Sequence, residues 1–516
     1  MAFYPLHLGS RQEQRHRIGV ILLQLLWPGP GPDHPTLEKD RTISTDKFFA
    51  ALSRTRDALL PAKTQNWLKT PRGMWLVFAG VHLVFLVLAG VLSLRGEAFS
   101  DTFIYRIWAS VDFNGDRVLG PSPWVYPILA LVPMSVAYIF GPAPFLFLWV
   151  LMIAGLNTLA VGKLTSWGRN TKAIPAALWW ITFTTLLAWL GFARVDGLTA
   201  PVVLIALSLG VASPFLTSFI LSVATWTKVW PAAVVLALFT VVKKRVQVVL
   251  AGVLVTAFVV ALALSMNALP LLLNFLLEQG DRGMQLEATF TTPWLWMSVL
   301  GIGGARMYMN RDINSMQVDG PGSEFMSFLM QPLLIAAALL VAALIFWALH
   351  TGKRNGGADR TALLLFGSLA LVTAFVVFNK VGSPQFMVWL APAVAVGLAH
   401  QWKAWRVPAT MLIGVAVLTF LVYPLFYDAL SHNNPLMAGV LTARNALLVI
   451  LFVWSVRQLV IMGRNPQAIP RHDAVTSPAA TEATALAGPD TAAAVDSGAA
   501  PDSAAHTGHA AVTEES

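Results

Sequence analysis

The chain has 516 residues, is 56% hydrophobic and only 12% charged, contains no cysteine and carries a formal charge of +9. The missing cysteines exclude a disulfide framework, a thiolate metal site and a cysteine nucleophile. Repeated apolar runs of spanning length exclude an ordinary soluble domain, because about 20 apolar residues cross a bilayer core and a helix satisfies its own backbone there. The expected class is an all-α polytopic membrane protein whose basic residues face anionic membrane lipid, with no nucleic-acid partner.

In chain order, residues 1–72 form a basic segment broken by proline and glycine. Its apolar run from Ile18 to Trp27 is too short to span and ends in Pro28-Gly-Pro-Gly-Pro32. Arg54, Arg56, Lys63, Lys69 and Arg72 precede the first span and place this segment in the cytoplasm by the positive-inside rule. Residues 74–94 then run outward, leaving residues 95–123, with Asp101, on the outer face as a first external loop. Further spans are expected near 124–140, 143–162, 175–192, 200–217, 219–241, 246–266, 325–350, 361–379, 384–399, 408–426 and 437–461, about twelve in all.

The basic loops at Lys243 to Arg245, Lys353 to Arg360, Lys403 to Arg406 and Arg457 to Arg464 fall inside, as that rule requires. One loop breaks it. Lys163, Arg169 and Lys172 come out external, so a span between residues 124 and 217 is suspect. Within the long outer segment 267–322, the stretch from Trp294 to Gly304 is a candidate to dip into the membrane. The membrane domain is expected over 73–462. Beyond it, residues 463–516 are rich in Ala, Thr, Ser, Pro and Asp, bury too little to fold, and are expected to be a disordered cytoplasmic tail.

Several polar residues stand where chemistry is possible. Asp101, with Tyr105 and Arg106 a helical turn on, is a carboxylate beside the membrane able to take a proton, or an N-cap ahead of Thr102 to Tyr105. Asp112 to Asp116 resembles a calcium loop but fails, since Arg117 and Pro123 stand where glycine and the bidentate glutamate are required. Lys228, in an apolar run with no acid nearby in sequence, is either an anion-binding group or a lysine snorkelling beside Trp226 and Trp230. Arg282, Gln285 and Glu287 can share one helix face and address a ligand, or form a solvated amphipathic turn. Lys380, Ser383 and Gln385 join two spans at the outer face, as a phosphate or sugar seat or as a plain turn at Gly382 and Pro384. His432 is a weaker candidate. No Walker A, dinucleotide-binding, His-Glu-x-x-His or Gly-x-Ser-x-Gly motif occurs.

Taken in order, Asp101-x-x-x-Tyr105, Trp124-Val-Tyr-Pro127, Lys228-Val-Trp-Pro231, Arg282-Gly-Met-Gln-Leu-Glu287 and Lys380-Val-Gly-Ser-Pro-Gln-Phe-Met-Val-Trp-Leu390 resemble the actinobacterial polyprenol-phosphate-mannose-dependent mannosyltransferases. These form glycosyltransferase family 87 (DUF2029-type) within the GT-C superfamily, and the resemblance covers residues 75–460. It implies a GT-C-like helical bundle and transfer of a hexose, mannose by this likeness, from a polyprenyl-phosphate donor. The acceptor is a hydroxyl of a cell-envelope glycolipid or lipoglycan, with a glycoprotein also open.

By position the base is Asp101, with Asp112 or Asp116 as substitutes if the loop folds otherwise. The cation facing the departing phosphate is among Arg106, Arg282, Lys228 and Lys380. No cofactor is expected, and the scarcity of clustered carboxylates argues against a divalent metal. The rival class is a transporter or flippase of lipid-linked substrates, which calls for internal repeats and charges at mid-depth. A catalytically silent partner in envelope assembly is a third reading.

Overall fold

A computed structural model of the chain describes residues 35–99, 101–110, 124–269, 272–273, 283–311, 315–354 and 357–465. Among them, eight helices are long and apolar enough to cross a membrane, and shorter apolar helices pack between them. The chain is a helical protein of membrane type, with one two-stranded hairpin that the all-α expectation did not include.

Two helices, α1 (Pro35–Leu59) and α2 (Ala62–Leu68), lead into the first long apolar helix, α3 (Pro71–Leu94). Thr70 starts α3 by accepting the Gly73 amide, and Pro71 at the first helical position loses no hydrogen bond there. After a short break the chain enters α4 (Thr102–Ser110), then a 3₁₀ turn at Ile128–Ala130 and the eight-residue α5 (Leu131–Tyr138).

The expected span at 124–140 is replaced by this short element. The 3₁₀ turn and α5 together measure roughly 17 Å, about half a bilayer core. The next long helix, α6 (Phe145–Thr165), therefore begins beside the end of α3, where the Phe147 amide donates to Ser93 Oγ at 3.2 Å. It finishes beside the start of α3, where Trp167 stacks on Trp75 and Gly168 abuts Pro71. Lys163, Arg169 and Lys172 thus lie at the same end as Arg72. This removes the one exception to the positive-inside pattern.

From that basic end α7 (Ile174–Leu186) climbs to a turn carrying α8 (Trp189–Phe192), and α9 (Val195–Leu209) descends. The expected span at 200–217 is thereby shifted, since its helix already begins at Val195. Gly197 is required in that first turn, because a Cβ would come within 2.1 Å of the Gly191 carbonyl oxygen.

The single span expected at 219–241 is two helices, α10 (Pro214–Thr227) and α11 (Pro231–Val241). Pro231 has no amide to continue the first helix and instead opens the second. Lys228 lies in the break with extended backbone angles of −153° and 136°. After the Lys243 to Arg245 turn, α12 (Arg245–Ser265) rises against α10, with Ser218 bonded to the Val248 carbonyl and Trp226 to Thr256.

Past the described break come α13 (Thr292–Val299) and a hairpin of β1 (Arg306–Asn310) and β2 (Ser315–Asp319), antiparallel with Tyr308 opposite Gln317. The stretch expected to dip into the membrane is largely α13. It lies beside the first turns of the last helix through Trp296–Thr442 and Ser298–Asn433 hydrogen bonds.

The remaining helices are α14 (Ser323–Arg354), α15 (Arg360–Val377), a 3₁₀ helix at Pro384–Leu390 running into α16 (Ala391–His400), α17 (Trp402–Phe420), α18 (Tyr427–Ser431) and α19 (Pro435–Arg464). At the basic end Arg360 bonds the Val241 carbonyl, Thr351 the Gly463 carbonyl, and Arg406 pairs with Asp46 of α1. The main core is built on α15, α16, α9 and α11, whose residues are mostly buried. A second core holds α4, α5 and the first half of α6.

Candidate active site

Away from the basic end, four charged residues meet. Asp101 forms an ion pair with Arg194, and Asp196 pairs with Lys228 at 3.6 Å. Their side chains are graded in exposure: Asp101 36%, Lys228 14%, Arg194 9% and Asp196 0%. The more accessible carboxylate is thus Asp101.

Each member is placed by a helix end. The Asp101 carbonyl accepts the Tyr105 amide at 2.9 Å, so its backbone begins α4 while its side chain turns to Arg194. Asp101 thus stands where the cap reading put it, at the start of α4, but its carboxylate is committed to Arg194 rather than to the helix amides. Arg194 and Asp196 flank the first residue of α9, and the Gly191–Gly197 approach fixes that turn. Lys228 reaches over from the α10–α11 break.

Aromatic rings close the surroundings. Trp389 Nε1 donates to Asp196 Oδ1 at 2.6 Å, and Trp389 stacks on Trp230 and Phe386. The Lys228 ammonium lies 4.3 Å from the Tyr126 ring centre and 5.8 Å from that of Phe386. Tyr105 and Tyr126 share a hydrogen bond at 3.2 Å, and the Tyr105 hydroxyl reaches Asp101 at 3.5 Å. Burial, aided by Tyr126 and Asp196, pushes the Tyr105 phenol well above its ordinary pKa, so it remains a neutral donor.

The cluster is recessed. Since α11 and α12 both start from the Lys243 to Arg245 turn, the eleven residues of α11 lift Lys228 only about 16 Å, against about 31 Å for the length of α12. The Trp226–Thr256 bond, halfway along α12, gives the same depth.

A second polar group lies nearby. Gln285 receives the Gly382 amide and Ser383 hydroxyl on its side-chain oxygen, and its own amide donates to the Lys380 carbonyl. The two late sequence motifs are therefore bound to each other. Glu287 is buried beside Tyr427, and burial raises its pKa against the opposing Tyr427 hydrogen bond and Arg444 charge. Arg444, itself buried, donates to the Glu287 carbonyl at 2.7 Å, and Asn445 bonds the Ala288 carbonyl and Thr292.

Of the sequence candidates, Asp101, Tyr105 and Lys228 come together, and Phe386 and Trp389 of the last motif join them. Gln285, Glu287 and Lys380 form the neighbouring scaffold, with Gln385 buried in the 3₁₀ helix. Arg106 is not brought to Asp101; it reaches the Gly96 carbonyl and the Phe103 ring. His432 is on exposed α18, bonded to the Asp428 carbonyl. Arg282, Asp112 and Asp116 lie outside the described residues, as does the chain beyond Asn465.

Sequence reasoning missed Arg194, Asp196, Glu287's partner Arg444, and Trp389 as an individual contact. A signal existed for the first two: Arg194-Val-Asp196 is a charged pair between apolar runs, costly unless it is used. Among the described residues no three His, Asp or Glu side chains gather as metal ligands. No family model, curated protein or solved structure matches the chain.

Proposed function

We propose that the chain is an integral-membrane inverting glycosyltransferase. It moves a hexose, mannose by the resemblance of its motifs, from a polyprenyl-phosphate donor to a hydroxyl of a cell-envelope glycolipid or lipoglycan. The observation that carries this reading is the meeting of the half-exposed Asp101 carboxylate with two cations in one recess. General-base transfer from a phosphate leaving group needs both charges at one point.

In this mechanism the Asp101 carboxylate takes the acceptor proton as the acceptor oxygen attacks the anomeric carbon. The bond to the donor phosphate breaks on the opposite face, which inverts the centre. Lys228 and Arg194 face the phosphate as it gains charge, while Asp196 and Trp389 hold Lys228 in place. The basic end lies in the cytoplasm with both termini, and the recess opens outward.

A transporter or flippase is the second reading, favoured by the helix break that carries Lys228 at half depth. One experiment separates the two. Membranes containing the intact protein or Asp101→Asn are given labelled polyprenyl-phosphate-mannose, with folding of both checked. Transfer by the first and loss by at least a hundredfold in the second supports the enzyme. Movement of the donor across the bilayer without transfer supports the transporter.

A further inference from the structure

The helix α1 is tied to the basic end of the bundle at two places. Its last residues lead through α2 into the first turn of α3. Earlier in the helix, the Arg406 guanidinium of α17 pairs with Asp46 and lies 4.4 Å from the Phe49 ring centre. The stretch from Phe49 to Leu59 measures about 15 Å. With both ties at one end of the bundle, α1 runs along that end instead of projecting from it.

Between residues 46 and 59 only Phe49 and Ser53 are half-buried, so the helix lies beside the bundle and is scarcely covered by it. At about 3.6 residues per turn, Phe48, Leu52, Thr55 and Leu59 form a stripe roughly a third of a turn from the side that carries Asp46, Phe49 and Ser53. Phe48, Leu52 and Leu59 are exposed by 52%, 43% and 75%. Lys47 and Arg54 border the stripe on one side and Arg56 on the other, all three exposed. The acids are kept off it, since Asp46 is spent on Arg406 and Asp57 falls on the opposite face.

We infer that α1 lies in the headgroup layer of the leaflet at the basic end, immersing Phe48, Leu52 and Leu59 and drawing anionic phospholipid to Lys47, Arg54 and Arg56. The inference rests on the membrane class of the protein and is independent of the transferase reading. An apolar stripe bordered by cations settles in the interface because the stripe leaves water while the cations meet lipid phosphates. The depth fits as well. Little more than α2, about 10 Å long, separates Leu59 from the span that opens at Pro71. On α2 and just after it, exposed Trp67, Lys63 and Lys69 are residue types that favour the same layer.

The lack of cysteine makes the test direct. Thr55→Cys, within the stripe, and Ala50→Cys, on the opposite face, each give the full chain one thiol for the environment-sensitive dye NBD. Both positions are exposed, so neither label enters a packed core. The labelled proteins are placed in nanodiscs of phosphatidylcholine, alone or with phosphatidylglycerol, in which some lipid carries a nitroxide near its headgroup. In the anionic discs the nitroxide is expected to quench the Thr55 label about threefold more than the Ala50 label, and this contrast to fall about twofold in the neutral discs. Adding Lys47→Gln, Arg54→Gln and Arg56→Gln together is expected to remove the difference between the two lipids. Equal quenching of the two labels overturns the inference. So does a blue-shifted Thr55 label that the nitroxide leaves unquenched, which would mean that another part of the chain or a protein covers the stripe. The same contrast in both kinds of disc overturns the preference for anionic lipid.

Discussion

The Lys228 ammonium stands 3.6 Å from the fully buried Asp196 carboxylate, tying the break between α10 and α11 to the first turn of α9. A buried pair of this kind is costly to halve, because the remaining charge has no water to replace its partner. Lys228→Met is therefore expected to destabilise the protein by about 3–5 kcal/mol, and Asp196→Asn combined with it to recover a good part of that loss. Thermal unfolding in detergent of the two single variants and the double variant measures the coupling. Simple additivity would show that the pair contributes nothing.

Arg194 holds the Asp101 carboxylate from a position at the head of α9. Replacing it by lysine keeps the charge but loses the planar fork that can bond Asp101 and Tyr423 together. Arg194→Lys is expected to leave unfolding temperature within a few degrees and lower kcat for transfer by about 10²-fold. Unchanged kcat would remove Arg194 from the reaction.

Gly382 packs so closely on the chain at Glu287 and Ala288 that a Cβ would come within 2.3 Å of the Ala288 backbone. No flexible side chain can yield there. Gly382→Ala is expected to cost about 1–3 kcal/mol and to loosen the join between residues 285–288 and 380–385. Gly439→Ala, in open space on α19, should be neutral or slightly stabilising. Differential scanning fluorimetry of the two variants checks the contrast.

Asp359 caps α15 through the Ala362 amide at 2.9 Å and faces His400 at 3.5 Å. Burial works against its charge, but the His400 and amide hydrogen bonds prevail and hold its pKa below the ordinary carboxylate value. A carboxylate lowered in the folded state adds stability above its unfolded pKa of about 3.9 and loses it as pH falls through the folded value. Asp359→Asn is thus expected to lower the unfolding temperature at pH 7 and to converge with the intact protein as pH drops below about 4. A constant difference across that range would exclude the linkage.

Much of the helical architecture was legible because its signals are local. The apolar runs and the basic loops between them are read within a few residues of where they act. The short α5 was not legible as such, since residues 124–140 are apolar enough for a span. What reveals it is the Ser93–Phe147 contact, which brings α6 back to the end of α3. The hairpin at residues 306–319 was likewise hidden, because its strands stand beside helical and turn segments without a strong alternation of their own.

The sequence by itself determined that this is a many-helix membrane protein and marked Asp101, Tyr105 and Lys228 as candidates, with plain structural readings of Asp101 and Lys228 left open beside the functional ones. Those conclusions follow from composition, period and the high cost of charge in an apolar run. Only the tertiary structure decided that Arg194 answers Asp101, Asp196 answers Lys228, and Arg444 answers Glu287. Partners so distant in the chain carry no local signal. They are chosen when helices pack, where a low-dielectric interior makes an unanswered charge too costly to keep.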